Sequence, residues 1–537
     1  MKMPLPPGRA RAFEAAGKQG CACVAWSRKR RAVFISRQGV YESPRPSSYA
    51  PTCGQSRAVD KPYAISAYYG KIEKSKEDYH MMTRTNDKQI KFHLVTIETL
   101  VPEDHFLRKL DRLVDFSFIY EEAADCYCQS NGRPSVDPVV LIKYLLIGFL
   151  FGIPSERRME QEIQVNVAYR WFLGLDLDDR VPDHSTISQN RRRRFNGTDL
   201  FRRLFERIIF QCMEKGLVDG NAVLTDSTHV KANASAKKNI QVTVPEETKR
   251  YMERLDFYEG QERRRLEQAG AIPQKRKGRT LKEKRPIKKT ISPADPEAGI
   301  LKRPGKPTGP HYLSHQSVDP AHGIIVDVFV TPGNANDSSP YLERLEYMRG
   351  HIGIPIKAAG ADSAYGTSLI CRSLEDMGIC LYTPGTTGGV NYKAEFTREE
   401  FTYQKEKDCF VCPAGNRLTL RSLEREEFNI CRVYRAERKD CAACPMFNRC
   451  VSSSQKSRTV RVNIFEESLK RCQARRGTAI HTHILRLRQI WCEGSFAAQK
   501  ARHNLRSLYR RGLEAAETHC LLSAMALNLK RMVNCLE

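Results

Sequence analysis

Apolar and polar positions divide the chain into a helical first part and a later part where strands and helices alternate. From about Lys91 to Arg203, apolar residues recur at three- and four-residue steps, which predicts helices. VPEDHFLRKLDRLVDFSFI, from Val101, reads as one amphipathic helix with acids early. SVDPVVLIKYLLIGFLFGIPS follows, with Pro138 placed to start a helix and Pro154 to stop it. SERRMEQEIQVNVAYRWFLGL reads as a third helix, and VPDHSTISQNRRRRF as a capped start running into Arg191, Arg192, Arg193 and Arg194. A helical module over residues 90–205 ending in four arginines is expected to bind DNA.

Strand patterns begin at Val218. AVLTDSTHVKANAS is a short apolar run stopped by Asp226 with hydroxyl residues on both sides. HYLSHQSVD and GIIVDVFVTP are two more strands, joined through PAHG as a hairpin. A helix over NDSSPYLERLEYMRGH, with Asp337 placed to cap it, leads to the strand IPIKAAGAD, which ends in Asp362. A helix over TSLICRSLEDMG and the strand ICLYTP come next, and Glu493 lies on a later helical pattern, QIWCEGSFAAQKARHNL. Three strands, then helix, strand, helix, strand and a final helix predict an α/β protein with an RNase H-like catalytic domain over 218–400. The helical residues 456–537 complete that domain and carry the glutamate. Asp226, Asp362 and Glu493 are the expected catalytic and metal-holding acids. Carboxylates with no imidazole or thiol among them suit hard cations, Mg2+ or Mn2+. Two such ions roughly 3.5–4 Å apart would serve phosphoryl transfer without a protein nucleophile. Asp319, Asp327 and Asp337 are rival acids with ordinary structural explanations, and His229 and His315 read as packing or DNA contacts.

Charge sharpens this picture. The 537 residues hold 88 Lys plus Arg against 62 Asp plus Glu, a net charge of +26, which favours a polyanionic partner and first of all nucleic acid. The most apolar run, Val139 to Ile153, is interrupted by Lys143 and too short to span a membrane. The opening MKMPLPPGRARAFEAAGKQG has no apolar signal core, which points to the cytoplasm. Residues 1–80 are Pro-, Gly-, Ser- and Arg-rich and are expected to be disordered, or to precede a true start at Met81 or Met82. Residues 236–309 read as a flexible basic insertion, with nine basic residues and one acid between Lys275 and Lys289.

Eighteen cysteines without an export signal favour reduced thiols and a metal site over disulfides. CFVCPAGN and CAACPMFNRC, inside a cysteine-rich insertion over 401–455, carry two C-x-x-C knuckles. Cys409, Cys412, Cys441 and Cys444 are the expected Zn2+ ligands, with Cys431 and Cys450 as substitutes.

These segments together resemble the DDE transposases of bacterial insertion sequences. The resemblance covers roughly residues 90–537, through DHSTIS, LTDSTHVKANAS, DPEAG, HQSVDPAHGIIVDVFVTPGNANDS, GADSAYG, the CPAGN and CAACP knuckles and the glutamate helix. It implies an enzyme that binds terminal inverted repeats of double-stranded DNA, cleaves them and transfers strands, acting as a homodimer on bacterial nucleoid DNA. It gives the three acidic positions to Asp226, Asp362 and Glu493, and a DNA-binding lysine to Lys500. Where a large branch of the family has a tyrosine and an arginine before the glutamate, this chain has Arg486 and Gln489, with Arg488 one position early. The alternatives are a catalytically silent DNA-binding regulator and an RNase H-like nuclease that cuts without joining.

Overall fold

The computed structural model describes residues 94–128, 135–244, 250–273, 287–302, 308–385, 396–426, 429–452 and 455–537. Among residues 1–90, a compact unit of their own, it describes the two-residue strands Ile35–Ser36 and Gly39–Val40, which pair antiparallel. The expected disorder of residues 1–80 otherwise lies outside the described residues, as does most of the basic run from Lys275. Residues 91–537 form the second compact unit.

A six-stranded sheet organises that unit. Its strands are β1 (Ala222–Lys231), β2 (Gly299–Leu301), β3 (Gly309–Val318), β4 (Ile325–Pro332), β5 (Ala358–Gly360) and β6 (Cys380–Tyr382). Side by side they run β6–β5–β1–β3, and the far edge of β3 is shared by β4 and, at its start, β2. β3 is antiparallel to both β1 and β4, whereas β5 is parallel to β1 and to β6. Parallel neighbours need a crossover, supplied by helices Tyr341–Tyr347 and Ser368–Asp376. This is the RNase H-like order expected from the chain. All ten residues of β3 are buried, as a strand covered on both faces requires.

The helical part differs from its expected outline. Residues 101–119 do not make one helix: they contribute to Phe106–Leu113 and Phe118–Ala123, after a short helix at Ile97–Leu100. Pro102 breaks the first junction, and Asp115 breaks the second by accepting the Ser117 amide at 2.8 Å. Pro138–Leu150 forms where expected, capped by Asp137. The third helix divides at Asn166, which ends Glu156–Val165 and caps Val167–Leu173.

The helices expected as a head of their own share one hydrophobic core with the sheet. At its centre runs the last helix, Leu513–Leu536, packed on β4 and on helices Leu200–Glu214, Pro138–Leu150 and Phe106–Leu113. Its buried Asn528 accepts from the Ile325 amide and donates to the Ile325 carbonyl, both at 2.8 Å. One side chain thus finishes the ladder at the edge of β4.

Buried histidines stitch the same core. His503 donates to the Phe149 carbonyl, His519 bonds the Asn504 carbonyl, and His315 meets Thr331 Oγ1 at 2.9 Å. Burial lowers the first two to about 4 and His315 to about 3. The unfolded imidazoles take up protons near pH 6.5 and the folded ones only far below it, so acid favours unfolding. The stability these groups give is complete above about pH 6.5 and lost as pH falls toward 4, at about 1.4 kcal/mol per pH unit for each. Thermal melts should therefore fall steeply between pH 6.5 and 4.5, and His519→Gln should flatten the slope. A melting point constant over that range contradicts the assignment.

The segment expected as a flexible insertion is largely built. It holds the antiparallel pair Ile240–Val244 and Ile287–Ile291 and a helix, Arg250–Gln268. That helix buries Leu255 and Leu266 in a small cluster with Leu369, Leu423, Ile430 and Phe465. Its Glu262 meets Arg432 at 2.7 Å. A narrow apolar stripe in a charge-rich sequence hid it. The cysteine-rich insertion is likewise a sheet, with β7 (Thr402–Gln404), β8 (Cys409–Val411), β9 (Arg417–Glu426), β10 (Asn429–Ala436) and β11 (Thr459–Asn463) antiparallel in that order. The cysteines among the described residues are free thiols, and no helix there is long and apolar enough to cross a membrane.

Candidate functional site

Asp226 sits in the middle of β1, at the centre of the sheet. The parallel register pairs Leu224 with Gly360, so two residues further along both strands stand Asp226 and Asp362. Neighbouring strands are about 4.8 Å apart, and a two-residue step keeps the same face. Asp226, mid-strand, and Asp362, two residues past the end of β5, are thus neighbours, near enough for the charge of Asp362 to bear on Asp226. Asp362 also starts the short helix Ser363–Tyr365, accepting the Ser363 amide at 2.6 Å.

Glu493 comes from a helix laid over this edge. Helix Ala479–Arg488 passes through one π turn, Gln489–Glu493, into helix Gly494–Arg502. The turn is pinned to the sheet on two sides. Cys492 donates its thiol to the Leu224 carbonyl at 3.5 Å, two residues before Asp226. Trp491 lies so close over Gly323 that a Cβ there would strike its ring. Gly323 also has φ of +75°, which favours glycine on its own account.

The link between the acids is Arg488. Its Nη1 donates to Asp226 Oδ2 at 2.8 Å, and its Nη2 lies 4.0 Å from Glu493 Oε1. A π turn carries one more residue than an α turn, so residues five apart share a face. Arg488 and Glu493 are five apart. The arginine that stands one position early in the sequence is thereby returned to the side of the glutamate. Burial pushes the Asp226 carboxyl up, Arg488 pulls it back, and the charge of Asp362 adds to the rise.

Lys500 lies two turns beyond Glu493 and its Nζ reaches Thr228 Oγ1 at 2.5 Å. Thr228 follows Asp226 by two residues on β1, so Lys500 reaches the strand on the side of the acids.

The rival acids have structural duties. Asp319 accepts the amides of Gly220 and Ala321, at 2.8 and 2.9 Å. Asp327 is buried and paired with Arg344 and with Arg202 at 3.4 Å. Asp337 does not cap its helix, which starts at Tyr341 after Pro340. Its charge reaches the Tyr365 hydroxyl, as does that of Asp226. His229 meets the Gly333 carbonyl at 3.1 Å.

The four arginines form a π turn, Arg191–Phe195, which splits them between two sides. Arg191 is buried against Glu156, and Arg194 stacks over Tyr127 at 4.5 Å, so both serve packing rather than an open DNA face. Arg192 and Arg193 are exposed. Within the described residues, the set of three metal-ligating atoms within 4.8 Å of one another is Glu160, Asp183 and His184, none of them among the three acids. Asp183 there caps helix His184–Asn190, and His184 Nδ1 meets Glu160 at 2.7 Å.

In the cysteine-rich sheet, Cys409 faces away from the other expected ligands. The two-residue period puts Phe410 and Cys412 on one side of β8 and Cys409 on the other. The Cys409 thiol donates to Gln404 Oε1 at 3.6 Å. Cys450 instead joins Cys412 and Cys441 around the small core of Phe401, Phe410, Leu418 and Tyr434.

Two family models match this chain in separate stretches. One, described as Transposase domain (DUF772), matches residues 95–193, and the other, described as Transposase DDE domain, matches residues 411–533. No curated protein sequence matches it. Among solved structures, a piggyBac transposase synaptic complex with hairpin DNA is 8% identical, covering 80% of this chain and 74% of that one, with a TM-score of 0.32. A Mos1 transposase paired-end complex with the left transposon end is 9% identical over 48% of this chain and 61% of that one, with a TM-score of 0.14. At these scores neither likeness carries weight.

Proposed function

We propose that this chain, which belongs to the DDE-type transposases, binds the terminal inverted repeats of its element as a homodimer and cleaves and transfers their strands at Asp226, Asp362 and Glu493. The observation that carries this reading is the register of β1 and β5, which sets two acids from distant sequence on adjoining strands, with Glu493 laid beside them. The donor set fits a hard divalent cation, since it offers oxygens alone and already draws a guanidinium cation to Asp226. Mg2+ or Mn2+ held by the three carboxylates would supply charge neutralisation at the scissile phosphate and an activated water or 3′-hydroxyl.

The chain's own groups position the DNA. Arg488, paired with Asp226 and 4.0 Å from Glu493, is near enough to take an oxygen of a phosphate held at these acids. Its buried Nε has no acceptor among the described residues, a donor left over for that purpose. Exposed Arg192 and Arg193 add backbone contacts away from the chemistry. The test is direct: the purified chain, Mg2+ and DNA carrying the repeats that flank its reading frame should yield ends with 3′-hydroxyls, then joined products. Cutting without joining favours the nuclease reading, and binding without either favours the regulator.

Lys500 separates grip from chemistry. It lies about 10 Å along the helix from Glu493, too far for metal ligation but suited to a neighbouring phosphate. Lys500→Ala should weaken end-DNA binding, slow strand transfer and lower the salt slope of binding by roughly one unit, with metal affinity unchanged. Affinity measured across a salt series checks it; an unchanged slope with normal transfer makes Lys500 a mere partner of Thr228.

A further inference from the structure

Four cysteines of the cysteine-rich sheet come from three separate segments, and three of them border one small core. Cys412 directly follows β8 and opens a tight turn, where its carbonyl accepts from Gly415 at 2.8 Å, its amide donates to Asn416 O at 2.9 Å and its sulfur accepts the Asn416 amide at 3.3 Å. Gly415 has φ of +83°, which lets the turn close. Cys441 and Cys444 lie on and just after the short helix Arg438–Ala442, and Cys450 ends the short helix Phe447–Cys450. The Cys441 sulfur accepts the Arg458 amide at 3.5 Å, while Arg458 Nη1 donates to the Cys450 carbonyl at 2.8 Å. Arg458 thus ties two of these segments together.

The other cysteines nearby are excluded by the strands that hold them. Cys409 bonds Gln404 on the opposite side of β8, and Cys431 lies mid-strand in β10, between Glu424 and Asn463. We infer that Cys412, Cys441, Cys444 and Cys450 form a four-thiolate zinc site that staples the two short helices to the β8–β9 turn. Cys412, Cys441 and Cys450 border the same small core, and Cys444 follows Cys441 by three residues with its amide donating to the Cys441 carbonyl at 3.1 Å. No three of these sulfurs lie within 4.8 Å of one another, whereas zinc at about 2.3 Å from each would bring them to roughly 3.8 Å. The local core around them is small, seven buried residues, so a metal staple has much to add.

The inference stands apart from the acid site and is tested on the full chain, purified with reductant. Elemental analysis should find about one zinc per chain, retained in Cys409→Ser and lost in Cys444→Ser and Cys450→Ser. Cobalt in place of zinc should give the intense visible bands of a tetrahedral thiolate site. Should Cys450→Ser fail to fold, Cys450→His offers a substitute ligand: it should keep about one cobalt with a weakened thiolate band. Wild-type protein free of zinc and unable to bind cobalt overturns the site. So does a Cys409→Ser variant that loses zinc, or a Cys450→His variant whose cobalt spectrum is that of the wild type.

Discussion

Asp226→Asn should abolish strand cleavage while leaving DNA binding almost untouched, and Asp362→Asn and Glu493→Gln should do the same. Each exchange keeps the side chain's size and removes one negative charge from the set that would hold the cation. Losing one major electrostatic stabiliser of a transition state costs roughly 10²–10³ in rate, and losing a metal ligand should sit at or beyond the top of that range. Binding comes mainly from Lys and Arg contacts to phosphates, which the exchanges leave alone. Asp226→Asn has a second signature, because Arg488 loses its 2.8 Å carboxylate partner. Its end-DNA affinity should therefore hold steady or rise. Cleavage assays beside gel shifts on the same preparations decide the matter, and near-normal cutting by any one variant removes that residue from the site.

Asp327→Asn should have the opposite profile, a large loss of stability with the chemistry intact. Asp327 is 3% exposed, on β4, and its carboxylate takes both Arg344, with Nε at 2.9 Å, and Arg202. Breaking a buried pair by neutralising one partner leaves the other charges desolvated, at a cost of about 3–5 kcal/mol. Arg344 also stacks on Tyr347 at 4.1 Å and on Phe329 at 5.0 Å, so it has little freedom to turn toward solvent. Denaturant unfolding should show the loss, and at low temperature the folded fraction should cleave at the wild-type rate. An Asp327→Asn protein of normal stability that fails to cut would make this acid part of the chemistry instead.

Much of the sheet and the place of its acids could be read from the residues alone. The apolar run before Asp362 announces a strand end, whereas β1 continues past Asp226 to Lys231, held by its pairing with β3. Other features depend on contacts that no local pattern encodes. Arg191 and Arg193 look alike in sequence, yet a π turn buries one against Glu156 and exposes the other. The same kind of turn hid the partnership of Arg488 with Glu493, since helical spacing assumed four residues where the chain uses five. Cys409 and Cys412 form a familiar knuckle on paper, but three residues along a strand is an odd step, and it turns them to opposite faces. Helix Arg250–Gln268 was masked by its charges, many of which are spent on Arg425, Arg432 and its own neighbours.

The position of the final helix has a consequence for how the protein comes into being. Leu513–Leu536 lies at the centre of a core that the helix Pro138–Leu150 joins from the other side, although it is made roughly 370 residues later. At about 5–20 residues per second, the early helices wait on the order of 20–70 s for their partner. During that interval Leu107, Leu146 and Leu204 lack the part of their shared core that the last helix supplies. A chain halted before residue 513 should therefore leave the early helices with an unfinished core and be readily cut by protease. Glu493 precedes that helix in the chain, so a polypeptide that completes the core already carries all three of the proposed acids.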